Sequence, residues 1–412
     1  MSTLINRPIR VSIALIFSGA VTIAGAQPKN SESIDAAVKS FMAEKKIPGF
    51  AMGIVKKRSI IWSKAYGQAN IEDKTPMSVD GIMNIGSISK TFTTVAAMQF
   101  WEKGMLDLNA DINKYLDFEV RNPKYPDKPI TVFQVLTHTS SIQDGKAYSH
   151  SYSCGDPTIA LHDWILENLT PKGKFYDNGS NFGEWAPGSG QRRYSNVSFG
   201  LLGLIIERIA RQPFNQYCRE HIFKPLSMKN TGWMLNEVNT QNHIIPYAYV
   251  TEKNRNSLME RKQLYPKGGE FLPGTFVPAC LYSFPNYPDG LVRTSVKELS
   301  NYLIAMMNGG KFKGKRILKK ETVSKMLSLQ TVNYKFQGLT WHIYEWDVPG
   351  NSEILWGHTG GDPGIITYLF FNPVSKLGII TFQNASTDGT SGLFEKLYPL
   401  AVLQLKIKRQ NN

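Results

Sequence analysis

A chain of 412 residues, 42% of them hydrophobic, can bury a large core as two domains or as one domain with an insertion. The formal charge of +14 comes from scattered Lys and Arg, the longest cluster being the C-terminal "KIKRQ", which argues against nucleic acid as a partner. Three cysteines, Cys154, Cys218 and Cys280, cannot make a disulfide framework, and the seven histidines fall in no zinc spacing, so no metal or other cofactor is expected.

In chain order, Arg7 and Arg10 precede the apolar run "VSIALIFSGAVTI" and then "AGA" at 24–26. A basic start, a short apolar core and an A-x-A site describe a secretory leader over residues 1–26, cleaved to place the mature protein in the periplasm or outside the cell. The run falls short of the roughly 20 apolar residues that span a bilayer. Loss of the two arginines lowers the charge from +14 to +12, a balance suited to an anionic envelope surface. One disulfide is then allowed, and spacing does not select the pair.

Residues 31–46 place Ile34, Ala37, Val38, Phe41 and Met42 at helical spacing. "GFAMGIVK" and "SIIWSKAYG" follow as two strands joined through Lys57-Arg58 in a hairpin. A helical pattern begins at "NIGSISKTFTT", residues 84–94. From about 100 to 330 the pattern is helices and long loops, including "FGLLGLIIERIA", "SVKELSNYLIAMMNGG" and two loop-rich stretches, "SIQDGKAYSHSYSCGDP" and "YPKGGEFLPGTFVPACLYSFPNYPDG". Loops of that length often wall a site. Strand-like runs return in "LTWHIYEW", "EILWGHTG", "GIITYLFFNP" and "LGIITFQNA", and "GLFEKLYPLAVLQL" closes as a helix. The layout predicts an α+β fold. One antiparallel sheet is built from both chain ends (about 27–86 and 331–412) and flanked by helices, with a mainly helical second lobe over about 100–330.

Chemistry concentrates in three places. Ser87 and Lys90 are three apart on a helix start and so share a face, where an amine able to give up its proton could activate the hydroxyl. Free N–H groups at that helix end would favour a developing oxyanion. The alternative is a serine cap beside a solvated lysine. Tyr194-Ser195-Asn196 stands just before a helix, while a second Tyr-x-Asn, Tyr176 to Asn178, reads as loop. His358-Thr359-Gly360 ends a strand and is followed by Gly361 and Gly364, which would let a substrate backbone lie close to the strand edge. His138 reads as a buried turn residue rather than a base.

The ordered set Ser87/Lys90, Tyr194/Asn196 and His358/Thr359/Gly360 resembles the S-x-x-K, Y-x-N and K/H-T-G motifs of the serine β-lactamase and penicillin-binding protein superfamily. The likeness is to the branch of class C β-lactamases, D-Ala-D-Ala carboxypeptidases and related esterases, and it runs from about residue 33 to the closing helix. It implies that Ser87 is acylated, that Lys90 and Tyr194 transfer protons, and that Asn196 holds the substrate amide or orients Lys90. It places His358, Thr359, Gly360 and Gly361 on the substrate, with the N–H groups of Ser87 and Gly361 as the oxyanion hole. The implied substrate is a small-molecule or peptide acyl donor of peptidoglycan type; the alternatives are an ester, a β-lactam, or a non-catalytic wall ligand. His358 stands where class C β-lactamases usually carry lysine, and a histidine of pKa about 6.5 grips a carboxylate less firmly. Ser141 and Arg211-Gln212 replace glycines common in the branch and read as local turn changes.

Overall fold

The computed structural model of the chain describes residues 34–348, 351–386, 393 and 396–403. The expected leader, 1–26, lies outside them. Seven strands form one antiparallel sheet: β1 (Gly49–Lys56), β2 (Ser59–Asn70), β3 (Thr75–Pro76), β4 (His342–Val348), β5 (Asn351–Asp362), β6 (Ile365–Asn372) and β7 (Leu377–Gln383). Their order is β4-β5-β6-β7-β1-β2-β3, so the two ends of the chain meet where β7 pairs with β1, Phe50 opposite Gln383 and Lys56 opposite Leu377. The hairpin turns at Lys57-Arg58 as the sequence predicts, with Lys57 in the left-handed region at φ 56°.

Both faces of this sheet are covered, which explains why β1 reads as a continuous apolar run. Phe50, Met52 and Ile54 enter one core, and Ala51 and Val55 enter the other. The first core is closed by helix α1 (Ile34–Lys45), through Ile34, Ala37, Val38 and Phe41, and by Leu397, Tyr398 and Ala401 of the helical residues 396–403. Against the opposite face lies α4 (Val296–Met307), and α2 (Ser89–Glu102) and α3 (Val197–Ala210), packed on each other, share its core. Every residue of α2 from Ser89 to Phe100 is buried, so this helix is an axis of the core rather than an amphipathic cover.

The stretch between the sheet's two halves also holds short strand pairs that periodicity could not reveal, because two or three residues carry no period. Ser153–Cys154 pairs with Tyr282–Ser283, and Tyr247–Tyr249 with Phe276–Pro278. The first pair brings the two loop-rich stretches side by side, and a disulfide between Cys154 and Cys280 fastens them. Ser141 (φ 64°) and Arg211 (φ 54°) keep the left-handed backbone that glycine would adopt most readily.

Cys218 is the remaining thiol and is buried. Ellman's reagent is therefore expected to find no thiol in the native protein and one after unfolding without reductant; three would contradict the pairing. A Cys154→Ser, Cys280→Ser double variant is expected to lose about 2–5 kcal/mol of stability in urea titration.

Candidate active site

The turn that carries Ser87 is seated on β5 by two glycines. Gly86 is left-handed (φ 52°), and a Cβ there would stand 2.7 Å from the Gly361 nitrogen. A Cβ on Gly360 would stand 1.9 Å from the carbonyl oxygen of Ile85. That oxygen accepts from Thr367 Oγ1 on β6 at 2.8 Å, and the Ile85 N–H donates to Val292 O at 2.9 Å. Gly360 is thus buried scaffold for the Ser87 turn. Ser87 sits in a tight turn, Gly86–Ile88, that runs straight into α2.

Gly361 is different: it is exposed and nothing lies within 4 Å of where its Cβ would be. Asp362 pairs with Ile365 across the two-residue turn Pro363-Gly364, so that pair exchanges its hydrogen bonds. The next pair, Gly361 with Ile366, is then the non-bonded one, and the Gly361 N–H points away from β6. On that side β4 has already ended, at His342 opposite Gly357. The N–H is left facing the Ser87 turn.

Lys90, the second residue of α2 and about one turn after Ser87, is wholly buried. Its Nζ donates to Ser87 Oγ at 3.0 Å, Asn196 Oδ1 at 2.6 Å and the Asp289 carbonyl at 2.9 Å, three acceptors for the three protons of an ammonium. The Tyr194 ring centroid is 5.0 Å from Nζ, and the Tyr194 hydroxyl is buried without a hydrogen-bond partner. Three separated segments therefore converge as the motif order implies. Burial alone would push Lys90 down, but Tyr194 and Asp289 outweigh it and hold the amine above the ordinary lysine range. Its three acceptors and the two acids beside it hold the amine toward its charged form.

Asn196 orients Lys90. Its Nδ2 donates to Asp144 Oδ2 at 2.7 Å while its Oδ1 faces Nζ, and a flipped amide would set donor against donor. Asp144 also accepts from the backbone N–H groups of Asn196 (2.7 Å) and Val197 (2.9 Å), satisfying two orphan donors at the start of α3. His138, with φ 58°, accepts from the Ser195 N–H through Nδ1 at 3.2 Å and is held uncharged by burial, a turn residue as expected.

His358 departs from expectation. It is 2% exposed, stacks on His342 at 5.0 Å, and donates from Nδ1 to the Thr359 carbonyl at 2.6 Å. Burial pushes it down to about 3, so it carries no charge at neutral pH and has none to offer a carboxylate. Thr359, half-buried, follows it toward the open end of β5. Tyr176 to Asn178 forms a separate turn in which Tyr176 packs on Phe182.

Sequence reasoning missed three carboxylates. Asp144 and Asp289 come from the two loop-rich stretches, and Asp362 follows Gly361. Asp289 Oδ2 lies 3.8 Å from Lys90 Nζ and accepts from Tyr148 at 2.5 Å. Asp362 accepts from Tyr152 at 2.7 Å, and burial pushes its carboxyl up to about 7. Each sits in a Gly-rich turn (Q-D-G, P-D-G, G-D-P), where aspartate reads as turn chemistry and no local signal points further. Among the described residues, no group of three or more His, Cys, Asp or Glu is gathered for a metal ion.

The sequence model of a family described as Beta-lactamase matches residues 34–403. Among curated proteins the chain is similar to Protein flp of Staphylococcus aureus (strain MW2), 22% identical over 89% of this chain. It spans 66% of that relative's length, just under two thirds. It is also similar to Beta-lactamase-like protein 2 of Dictyostelium discoideum, 25% identical over 68% of this chain and 46% of that one. Among solved structures, an octameric penicillin-binding protein homologue from Pyrococcus abyssi superposes with TM-score 0.68 at 24% identity, covering 90% of this chain and 76% of that one. A class C beta lactamase from Rhodobacter sphaeroides superposes with TM-score 0.65 at 21% identity, covering 91% of this chain and all of that one. These likenesses show a common fold: the antiparallel sheet from both chain ends with helices alongside.

Because Asp144 caps α3 from outside and holds Asn196, Asp144→Ala is expected to cost about 2–3 kcal/mol in urea denaturation. A loss under about 0.5 kcal/mol would contradict the capping role.

Proposed function

The chain belongs to the beta-lactamase family, and on that premise we propose that it is an exported serine acyl hydrolase working through a covalent acyl-enzyme on Ser87. The observation that carries the reading is the 3.0 Å contact between Ser87 Oγ and a wholly buried lysine amine. Ser87 Oγ attacks the substrate carbonyl as its proton passes to Lys90. The carbonyl oxygen gains its charge between the N–H groups of Ser87 and Gly361; one such donor is worth about 2.7–4 kcal/mol in the chemical step. Tyr194, across Lys90, delivers the proton to the leaving group. Water then repeats the path in reverse and frees the acid. Asn196 keeps Lys90 aimed, and Thr359 and Gly361 line the open edge where the substrate lies.

For the substrate we favour peptide amides of D-amino acids, of the kind found in peptidoglycan. The leader read from residues 1–26 would bring the protein to such material, and its positive charge suits an anionic wall. Similar structures described as a penicillin-binding protein homologue and a penicillin binding protein support the same class. A carboxylesterase is the second reading, favoured by the uncharged His358, which cannot anchor a substrate carboxylate by charge. The same feature weighs against efficient β-lactam hydrolysis. One acyl-transfer centre could serve all three.

The test is kcat/KM on D-Ala-D-Ala peptides, short nitrophenyl esters and nitrocefin, with intact mass read after each incubation. Peptides are expected to rank first, with an acyl adduct on Ser87. Ester turnover alone would replace the peptidase by an esterase, and stoichiometric penicillin labelling without turnover of any donor would make the protein a wall-ligand binder. Ser87→Ala is expected to lose the adduct and at least about a thousandfold in activity. Full activity in that variant would reject the nucleophile.

A further inference from the structure

The reading above leaves one chemical difficulty. A lysine that donates to Ser87 Oγ, Asn196 Oδ1 and the Asp289 carbonyl has all three protons in use and no lone pair with which to take the serine's proton. It must first shed one. The nearest carboxylate is Asp289, whose Oδ2 is 3.8 Å from Nζ, with both side chains buried to within 1%. Tyr148 holds Oδ2 by a 2.5 Å hydrogen bond, while Oδ1 is buried and has no partner. A buried carboxylate oxygen with nothing bonded to it is a vacant proton site.

Resting on that reading, we propose that Asp289 is a positioning residue that acts through Lys90: its carboxylate takes the proton Lys90 must release before the amine can accept the one on Ser87. The transfer breaks an N–H bond and forms an O–H bond, turning ammonium and carboxylate into amine and carboxylic acid with no change in total charge. It requires a carboxyl rotation that turns the unpartnered Oδ1 toward Nζ in place of Oδ2, now 3.8 Å away, and closes the gap to hydrogen-bond distance. Attack by Ser87 Oγ then breaks its O–H bond as the O–C bond forms, the proton goes to Nζ, and the carbonyl's π pair moves onto its oxygen. Once Lys90 has passed that proton through Tyr194 to the leaving group, the Asp289 acid returns its own and restores the ion pair.

The surroundings favour this exchange. Desolvation penalises an ion pair more than a neutral pair, so burial narrows the gap between the two forms. Burial pushes the Asp289 carboxyl up to about 8, against the opposing pull of Lys90 and Tyr148. The ionised groups support one another: with Asp289 protonated, the charge that helps hold Lys90 above its ordinary range is gone. The titratable groups facing Asp289 are Lys90 from α2, Tyr148 from the short helix 146–150, Tyr152 just after that helix, Asp144 from the loop before it, and Asp362 from the end of β5. The last two are acids that raise it further.

The test is the pH dependence of acylation, followed as the nitrophenol burst from p-nitrophenyl acetate between pH 5 and 10, in wild type, Asp289→Asn and Tyr148→Phe. In wild type the rate is expected to rise with pH as the doubly protonated pair loses its first proton. Asp289→Asn leaves Lys90 to release its proton to solvent, so the rising limb is expected to move up by at least one pH unit. Below the limb that is about a tenfold slower burst, and the plateau is expected to recover at high pH. Tyr148→Phe removes the donor that favours the Asp289 anion and is expected to move the limb in the same direction, slowing the burst roughly threefold below it. If Asp289 serves only as an anion beside Lys90, its removal lowers the limb; if it serves only packing, the plateau falls and the limb stays. Either result overturns the proposal, and Tyr148→Phe decides should Asp289→Asn fail to fold. A wild-type protein with no burst on any donor overturns the serine reading itself, whereas a normal burst with unmoved limbs overturns only the role of Asp289.

Discussion

The seating of the Ile85–Ser87 turn against Gly360 and Gly361 of β5 is the contact on which the rest of the site depends. A side chain at residue 86 or 360 would overlap backbone atoms, and backbone cannot yield as a flexible side chain can. The contact sets Ser87 beside a strand N–H that its own ladder leaves free. It also aims α2, because the turn runs into that helix without a break and carries Lys90 on the same face as Ser87. The sheet can offer such an edge only because β5 outruns β4 at this end.

Around the amine, the protein gathers more acid than base. Asp144, Asp289 and Asp362 all lie within electrostatic reach of Lys90, and each reaches it by a different route. Asp144 acts through Asn196, Asp289 faces the amine itself, and Asp362 is the last residue of β5. The histidines take the opposite part. His138 and His358 are buried against Tyr194, half-buried His342 stacks on His358, and desolvation holds all three uncharged, so they shape the wall without adding positive charge. The cation that touches Ser87 is Lys90, while Arg192 lies behind the histidines against His342.

Much of this was legible in the residues alone. Both halves of the sheet, the hairpin at Lys57-Arg58, the helix after Ser87 and the order of the three motifs follow from period, turn chemistry and spacing. The two long loops read as walls, and they do supply Tyr148, Tyr152, Tyr282 and Asp289 around the site. What spacing could not convey was which loop aspartates turn inward. P-D-G describes a turn equally well whether its carboxylate meets water or a buried amine. His358 shows the same gap from the other side: its identity suggested partial charge, and burial beneath His342 and Tyr194 removed it.

By itself, then, the amino-acid order determined which segments become strands and helices, and that a hydroxyl and an amine share one helical face, because those are properties of neighbours a few residues apart. Tertiary structure decided the pairing of Cys154 with Cys280, the scaffold role of Gly360, the loss of charge on His358 and the approach of Asp289 to Lys90. These depend on distance and desolvation between groups up to some 280 residues apart in the chain, and no local pattern encodes either.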